Sequence, residues 1–447
     1  MGARRSGSPF RSAGALAASL VLAACGGDGG GDGGAVDGGA ADGGDPGADA
    51  GPTGPVSVEV REGDTPLAAV RVYFQHPDST LAAVTETDAS GRASAMVQEG
   101  GFVTVLLPLD DDRLHPSLLT TAGVKPGDEL LVSRPLRGEG PVDAVLSVPT
   151  LEGAVSYQAH GHCGSFALTD IAGGRASGTA PWENYCTGPL DVLVAAYDDL
   201  GELAGSFFAP AVELQGGQTV EIDGTYEAPV ALPLQYTAIP PRITSLQASC
   251  RVYAPGGPLY TASEEGEIAG GESSLDLAIP AGTFDRTIQG VLLRDDEDAP
   301  NQHWIARWGQ GAEELAAPVD VSAHLVPEFA TPPTYDPAAA AVTWTPAASG
   351  VEPDLSMSFL RANRDGRSWS WIAFAPYTGG AIELPTLPVD ELDYNIGADD
   401  EVFVLFSLMM KTPGGYDAVR ARVFEDAPEG FLQPPGPSGV RSWVEYE

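Results

Sequence analysis

The chain has 447 residues, 23 basic against 62 acidic side chains, and a formal net charge of −39. A charge of that sign repels phosphate backbones and anionic lipid head groups, so nucleic-acid binding is excluded and any hold on a membrane has to be covalent or hydrophobic. Gly (56) and Pro (38) are abundant, and Lys125 and Lys411 are the only lysines, a composition unlike that of coiled coils.

Residues 1–24 carry Arg4, Arg5 and Arg11 and then an apolar run from Ala13 to Ala24. A basic start, a short apolar stretch and a small-residue exit form an export signal. Twelve apolar residues would span about 18 Å as a helix, short of the ~30 Å hydrocarbon core. The exit reads Leu22-Ala23-Ala24-Cys25. It resembles the lipobox of bacterial lipoproteins. That resemblance implies cleavage before Cys25, diacylglycerol on its sulfur and an acyl chain on its nitrogen, hence stable anchoring to an envelope membrane. Gly26 follows; in this family an Asp there favours inner-membrane retention, so Gly26 points to the outer membrane. Removing Arg4, Arg5 and Arg11 leaves 20 basic against 62 acidic residues, a net charge of −42.

Residues 25–54 form the next segment. Positions 26–54 hold 14 Gly, 6 Asp and 5 Ala, with Val36 the one aliphatic besides alanine. They cannot bury enough apolar surface to offset chain entropy, so a flexible, self-repelling tether of about 30 Å root-mean-square span is expected. Asp28, Asp32, Asp37, Asp42, Asp45 and Asp49 lack the fixed spacing that calcium-binding glycine-rich repeats need.

From Pro55 onward, short alternating apolar runs broken by Gly, Pro and Asp predict an all-β protein built of tandem β-sandwich modules. Strands are expected at 56–60, 70–74, 84–87, 93–97 and 102–107. Thr65-Pro66-Leu67-Ala68-Ala69-Val70, Thr87-Asp88-Ala89-Ser90-Gly91-Arg92-Ala93 and Gly101-Phe102-Val103-Thr104-Val105 resemble the carboxypeptidase regulatory-like module over 55–108. That is a transthyretin-like β-sandwich which, in its family, is an accessory and not a catalytic unit. Asp88 and Gly91 are expected to form a tight turn.

Three further modules are expected at 109–228, 229–332 and 333–447, the second and third immunoglobulin-like in size. Gly123 to Asp128 should turn into a strand at 129–132. A weak repeat pairs Cys163 and the strand 192–197 in one copy with Cys250 and the strand 291–293 in the next. The last module resembles a fibronectin type III module, with Trp344 on an early strand, the turn Asn363-Arg364-Asp365-Gly366, the segment Ile382 to Pro385 and a final strand at 419–424.

Of the four cysteines, Cys25 is reserved for lipid. A Cys163–Cys186 disulfide would close a loop of about 24 residues and stabilise an exported protein by roughly 3 kcal/mol, leaving Cys250 as a buried, inert thiol. His160 and His162 sit two apart on a strand and point the same way, but no third ligand is marked, so no metal and no cofactor is expected. Acidic turns at 110–112, 198–199, 295–298 and 399–401 are candidate calcium ligands or plain solvated tips. No nucleophile elbow, zinc helix or phosphate loop occurs, so no enzyme is expected. Trp369 and Trp371 share one face of a strand, opposite Ile372, and Trp304 and Trp308 flank another. These indoles are either core or exposed faces for a sugar. The expected role is therefore adhesion, recognition or structure at the bacterial envelope, with a protein or glycan ligand; the alternative is carbohydrate binding through exposed Trp faces.

Overall fold

The computed structural model describes residues 51–63, 65–107, 115–134, 142–161, 164–182, 189–214, 216–254, 257–282, 284–295, 299–309, 315–388, 393–424 and 438–446. The protein is all-β, in several sheets packed face to face. Strand Thr53–Glu62 shows why: Val56, Val58 and Val60 are buried while the residues between them are not, the two-residue period of a strand with one face in a core.

That strand lies between Arg92–Gln98, antiparallel, and Glu129–Arg134, parallel. The sheet they form faces four strands in the order Leu81–Glu86, Arg71–Gln75, Gly101–Leu107 and Ser117–Val124. Val56, Val58, Val60 and Val132 from one layer meet Val72, Phe74, Val103 and Val105 from the other. Fully burying such a side chain contributes about 1.5–3 kcal/mol. Ser117–Val124 and Glu129–Arg134 thus complete the two sheets begun before residue 108, and the pairing runs across the expected boundary at 109.

The second layer does not stop there. Ser117–Val124 also pairs, in parallel, with Arg367–Pro376, Ser370 opposite Ser117 and Phe374 opposite Thr121. Buried hydroxyls tie this junction: Thr104 and Thr120 Oγ1 are 2.8 Å apart, and Trp371 Nε1 donates to Thr120 Oγ1 at 2.8 Å. The sheet continues through Leu355–Arg364, Glu401–Lys411, Gly439–Tyr446, Asn301–Gly309, Arg286–Arg294, Ser245–Ala254 and Gly257–Gly266, twelve strands among the described residues. Pairing of Asn301–Gly309 with Gly439–Tyr446 likewise bridges the expected boundary at 332.

Smaller layers cover this sheet. Thr334–Asp336, Ala341–Thr343 and Ala381–Glu383 cover its middle, enclosing Trp344, Trp369 and Trp371. Ser273–Ile279, Val230–Thr237 and Val319–Asp320 cover its far end, where Leu232, Leu234 and Leu277 meet Cys250, Val291 and Ile305. A separate two-layer sandwich spans 142–221, with Ala144, Leu146 and Val148 against Ala159, Val192 and Val194. Its outer face docks on the last strands of the large sheet, Leu193, Ala195 and Leu203 meeting Val252, Leu259 and Tyr260.

Several predicted turns are seen. Asp88 Oδ1 accepts from the backbone N–H groups of Ser90 and Arg92, and Gly91 has φ +72°. Asp365 and Gly366 both have positive φ, 48° and 77°, as the two-residue hairpin joining Leu355–Arg364 to Arg367–Pro376 demands. The expected strand at 419–424 is corrected: residues Gly415–Arg420 are a helix that buries Tyr416 and Val419, three apart, and only Arg422–Phe424 is extended. Gly414 and Gly415, both at positive φ, set up that reversal.

Candidate functional site

Cys25, Cys163, Cys186 and His162 lie outside the described residues. Cys250 is a free, fully buried thiol on Ser245–Ala254, and burial pushes it up to about 12, which keeps it protonated and inert. His160 does not lie on an exposed polar face. It is 9% exposed, its ring meets Tyr260 edge-on at 5.2 Å, and among the described residues its Nε2 has no hydrogen-bond partner. Burial pushes it down to about 4. Among the described residues no group of three or more His, Cys, Asp or Glu is placed to hold a metal ion.

The Trp faces are a correction. Trp369 and Trp371 do share one face, but each is 1% exposed, and Trp308, Trp344 and Trp443 are buried too. Trp369 carries the Arg364 guanidinium over its ring at 5.3 Å. Trp304 is half-buried and stacks on Trp443, centroids 5.8 Å apart, and Glu445 accepts from both indole N–H groups, at 3.2 and 2.6 Å. A sandwich layer, a guanidinium or a second indole occupies the surface a sugar would need, so these side chains serve packing.

Of the acidic turns, residues 110–112 and 296–298 lie outside the described residues, and in the others a carboxylate is held by the chain itself. Asp198 Oδ1 accepts from the N–H groups of Leu200 and Glu202, and Asp295 pairs with Arg242. Asp400 holds Arg364 through both carboxylate oxygens at 2.6 Å and accepts from Gly397 N–H at 2.7 Å. The Arg364 guanidinium holds Asp400 below the usual carboxylate range.

That ion pair adjoins a strand edge that sequence reasoning missed. Strand Glu401–Lys411 pairs along its length with Leu355–Arg364. Its other edge pairs with Gly439–Tyr446 only from Ser407 onward, where Ser407 faces Tyr446. Residues 401–406, Glu-Val-Phe-Val-Leu-Phe, therefore present an open edge among the described residues. Phe403 and Leu405 are each 45% exposed, and Val402, Val404 and Phe406 are half-buried. Unpaired backbone donors and acceptors beside exposed apolar side chains are what an added strand binds. The alternating run of β-prone residues marks a strand in the sequence, but no local pattern tells which of its residues are paired on both sides.

No family model matches the sequence, and no curated protein matches it. Solved structures that align with it include the Bacillus anthracis TIE protein, at 11% identity over 54% of this chain and 45% of that one, TM-score 0.15. This chain thus spans less than half of that protein's length. A tetra-tandem repeat from the extending region of a large adhesion protein aligns at 12% identity over 81% of this chain and 95% of that one, TM-score 0.13. The pilus adhesin SpaC from Lactobacillus rhamnosus GG aligns at 10% identity over 76% and 44%, TM-score 0.14. Superpositions this poor carry no argument about the chain. No helix of the described residues is long and apolar enough to cross a membrane, which says nothing about crossing by strands.

Proposed function

We propose that the chain is a non-enzymatic lipoprotein of the bacterial envelope, held by acyl chains on Cys25, whose layered β body recognises a protein partner by accepting an extended strand. The apolar edge at 401–406 carries this reading, since among the described residues it joins backbone paired on one side only to exposed Phe403 and Leu405. The lipobox-like Leu22-Ala23-Ala24-Cys25 supports the anchor and the localisation, by resemblance.

Peptide mapping of protein extracted from envelopes checks the covalent part. Cys25 should begin the chain and carry acyl groups, Cys163 should be joined to Cys186, and Cys25→Ala should lose fatty-acid labelling. Persistent labelling of that variant would refute the anchor. For the recognition part, the Phe403→Asp/Leu405→Asp double variant should lose retention on partner cells, because charge on an edge strand blocks strand addition. Unchanged retention by the folded variant would reject the edge as the site.

A further inference from the structure

The sandwich at 142–221 and the end of the large sheet have separate cores, one around Leu146 and Val194, the other around Leu234 and Val291. What joins them is a thinner contact. Leu193, Ala195 and Leu203 meet Val252, Leu259 and Tyr260, and the Tyr197 and Tyr260 hydroxyls interact across it. Gly257–Gly266, which carries Leu259 and Tyr260, is the last strand of the large sheet. Of the two connections, 135–141 lies outside the described residues. The other is held to the sandwich as far as Glu227, whose backbone exchanges two hydrogen bonds with Ser206; Ala228 is exposed, and Val230 begins the next layer. Two bodies with their own cores, a small contact and a short joint at 228–229 can part without either one unfolding.

His160 stands in that contact. Ser165 and Leu193 lie opposite it on the neighbouring strands, and the Tyr260 ring reaches it from the large sheet. The titratable groups around it are the two phenols, Tyr260 and Tyr197. The carboxylates on the strands packed there are engaged elsewhere or face water: Asp191 accepts from Ala211 N–H, and Glu213, Glu264 and Glu265 are exposed. Arg251 lies on the face of its strand opposite Val252. Burial alone shifts the imidazole. A ring contact with Tyr260 does not replace the solvation that an imidazolium loses in an apolar contact. Docked, the ring is neutral to about pH 4; in water it protonates near 6.5. The parted arrangement therefore binds the proton more tightly, and docking is at full strength above pH 6.5 and weakens as pH falls toward 4.

We propose that His160 is an acid-sensitive latch whose protonation releases the 142–221 sandwich, as a folded body, from the end strand Gly257–Gly266. Opening uncovers Leu193 and Leu259, apolar surface that the neutral protein keeps covered. The test is small-angle X-ray scattering and far-UV circular dichroism of the full chain at pH 7 and pH 5. The ratio of open to docked molecules should rise about twentyfold between them, read as a larger radius of gyration with an unchanged β spectrum, and should reverse on return to pH 7. His160→Leu should stay compact at pH 5. His160→Arg, charged at both values, should be expanded already at pH 7. An unaltered protein that keeps its radius at pH 5, or that expands only as its β spectrum is lost, would overturn the proposal, as would equal expansion of His160→Leu.

Discussion

At the scale of single residues, the sequence is most legible where one side chain has one way to behave. The turn at Asp88 to Arg92 follows from the Asx geometry of Asp88 and the positive φ of Gly91, and both are found. A Cβ on Gly91 would stand 2.5 Å from Val60 O, inside the sandwich that the turn closes. Gly91→Ala should therefore cost roughly 1–3 kcal/mol, read as a lower urea midpoint at unchanged slope. An unchanged midpoint would mean that the turn relaxes at no cost. Burial was harder to foresee. Nothing in His160-Gly161-His162 says that the first imidazole lies under Tyr260, because Tyr260 arrives from a strand a hundred positions away.

At the scale of elements, strands, their faces and the two-residue hairpin at Asp365-Gly366 were readable, because each depends on residues two or three apart. Trp369 and Trp371 illustrate the limit. Their shared face was evident, and what covers it was not, since the covering strands at 334–336 and 341–343 are joined to it by tertiary packing alone. The edge at 401–406 is the converse case, a stretch paired on one side only among the described residues. Phe403 and Leu405 contribute surface more than core, so the double aspartate substitution proposed to remove recognition should leave stability within about 0.5 kcal/mol of the parent, as for other substitutions away from packed positions. Thermal unfolding of the two proteins checks this, and a large loss would place both side chains in a packed interior.

At the scale of the whole molecule, an all-β chain was predicted and is found, while the shared sheet was not foreseen. Pairing Ser117–Val124 with Arg367–Pro376 joins positions some 250 apart, and no local pattern encodes a partner at that distance. The 142–221 sandwich meets this sheet around His160, which makes the docking sensitive to acid. In the native state His160 is neutral to about pH 4, whereas in the unfolded chain it protonates near 6.5. The unfolded state thus binds more protons between those values. Stability is full above pH 6.5, falls by about 3 kcal/mol as pH drops to 4, and is flat below as far as this group is concerned. His303, pushed down to about 3 chiefly by burial, adds in the same direction. Urea titrations at pH 7 and pH 4 should show His160→Leu losing less stability across this interval than the parent. An equal loss in both would remove His160 from the account.

Thr53–Glu62, where the N-terminal segment enters the body, is flanked by paired strands on both sides. Its hydrogen bonds to Arg92–Gln98 and Glu129–Arg134 run across the strand direction. A mechanical load drawn through residues 25–54 would act along that strand and strain both ladders at once, rather than peel them open bond by bond as it would at a sheet edge. Were the chain anchored through Cys25 as proposed, the body would hang from one of its best-held strands, and a partner strand added at 401–406, paired on one side only, would be where the connection parts first under tension.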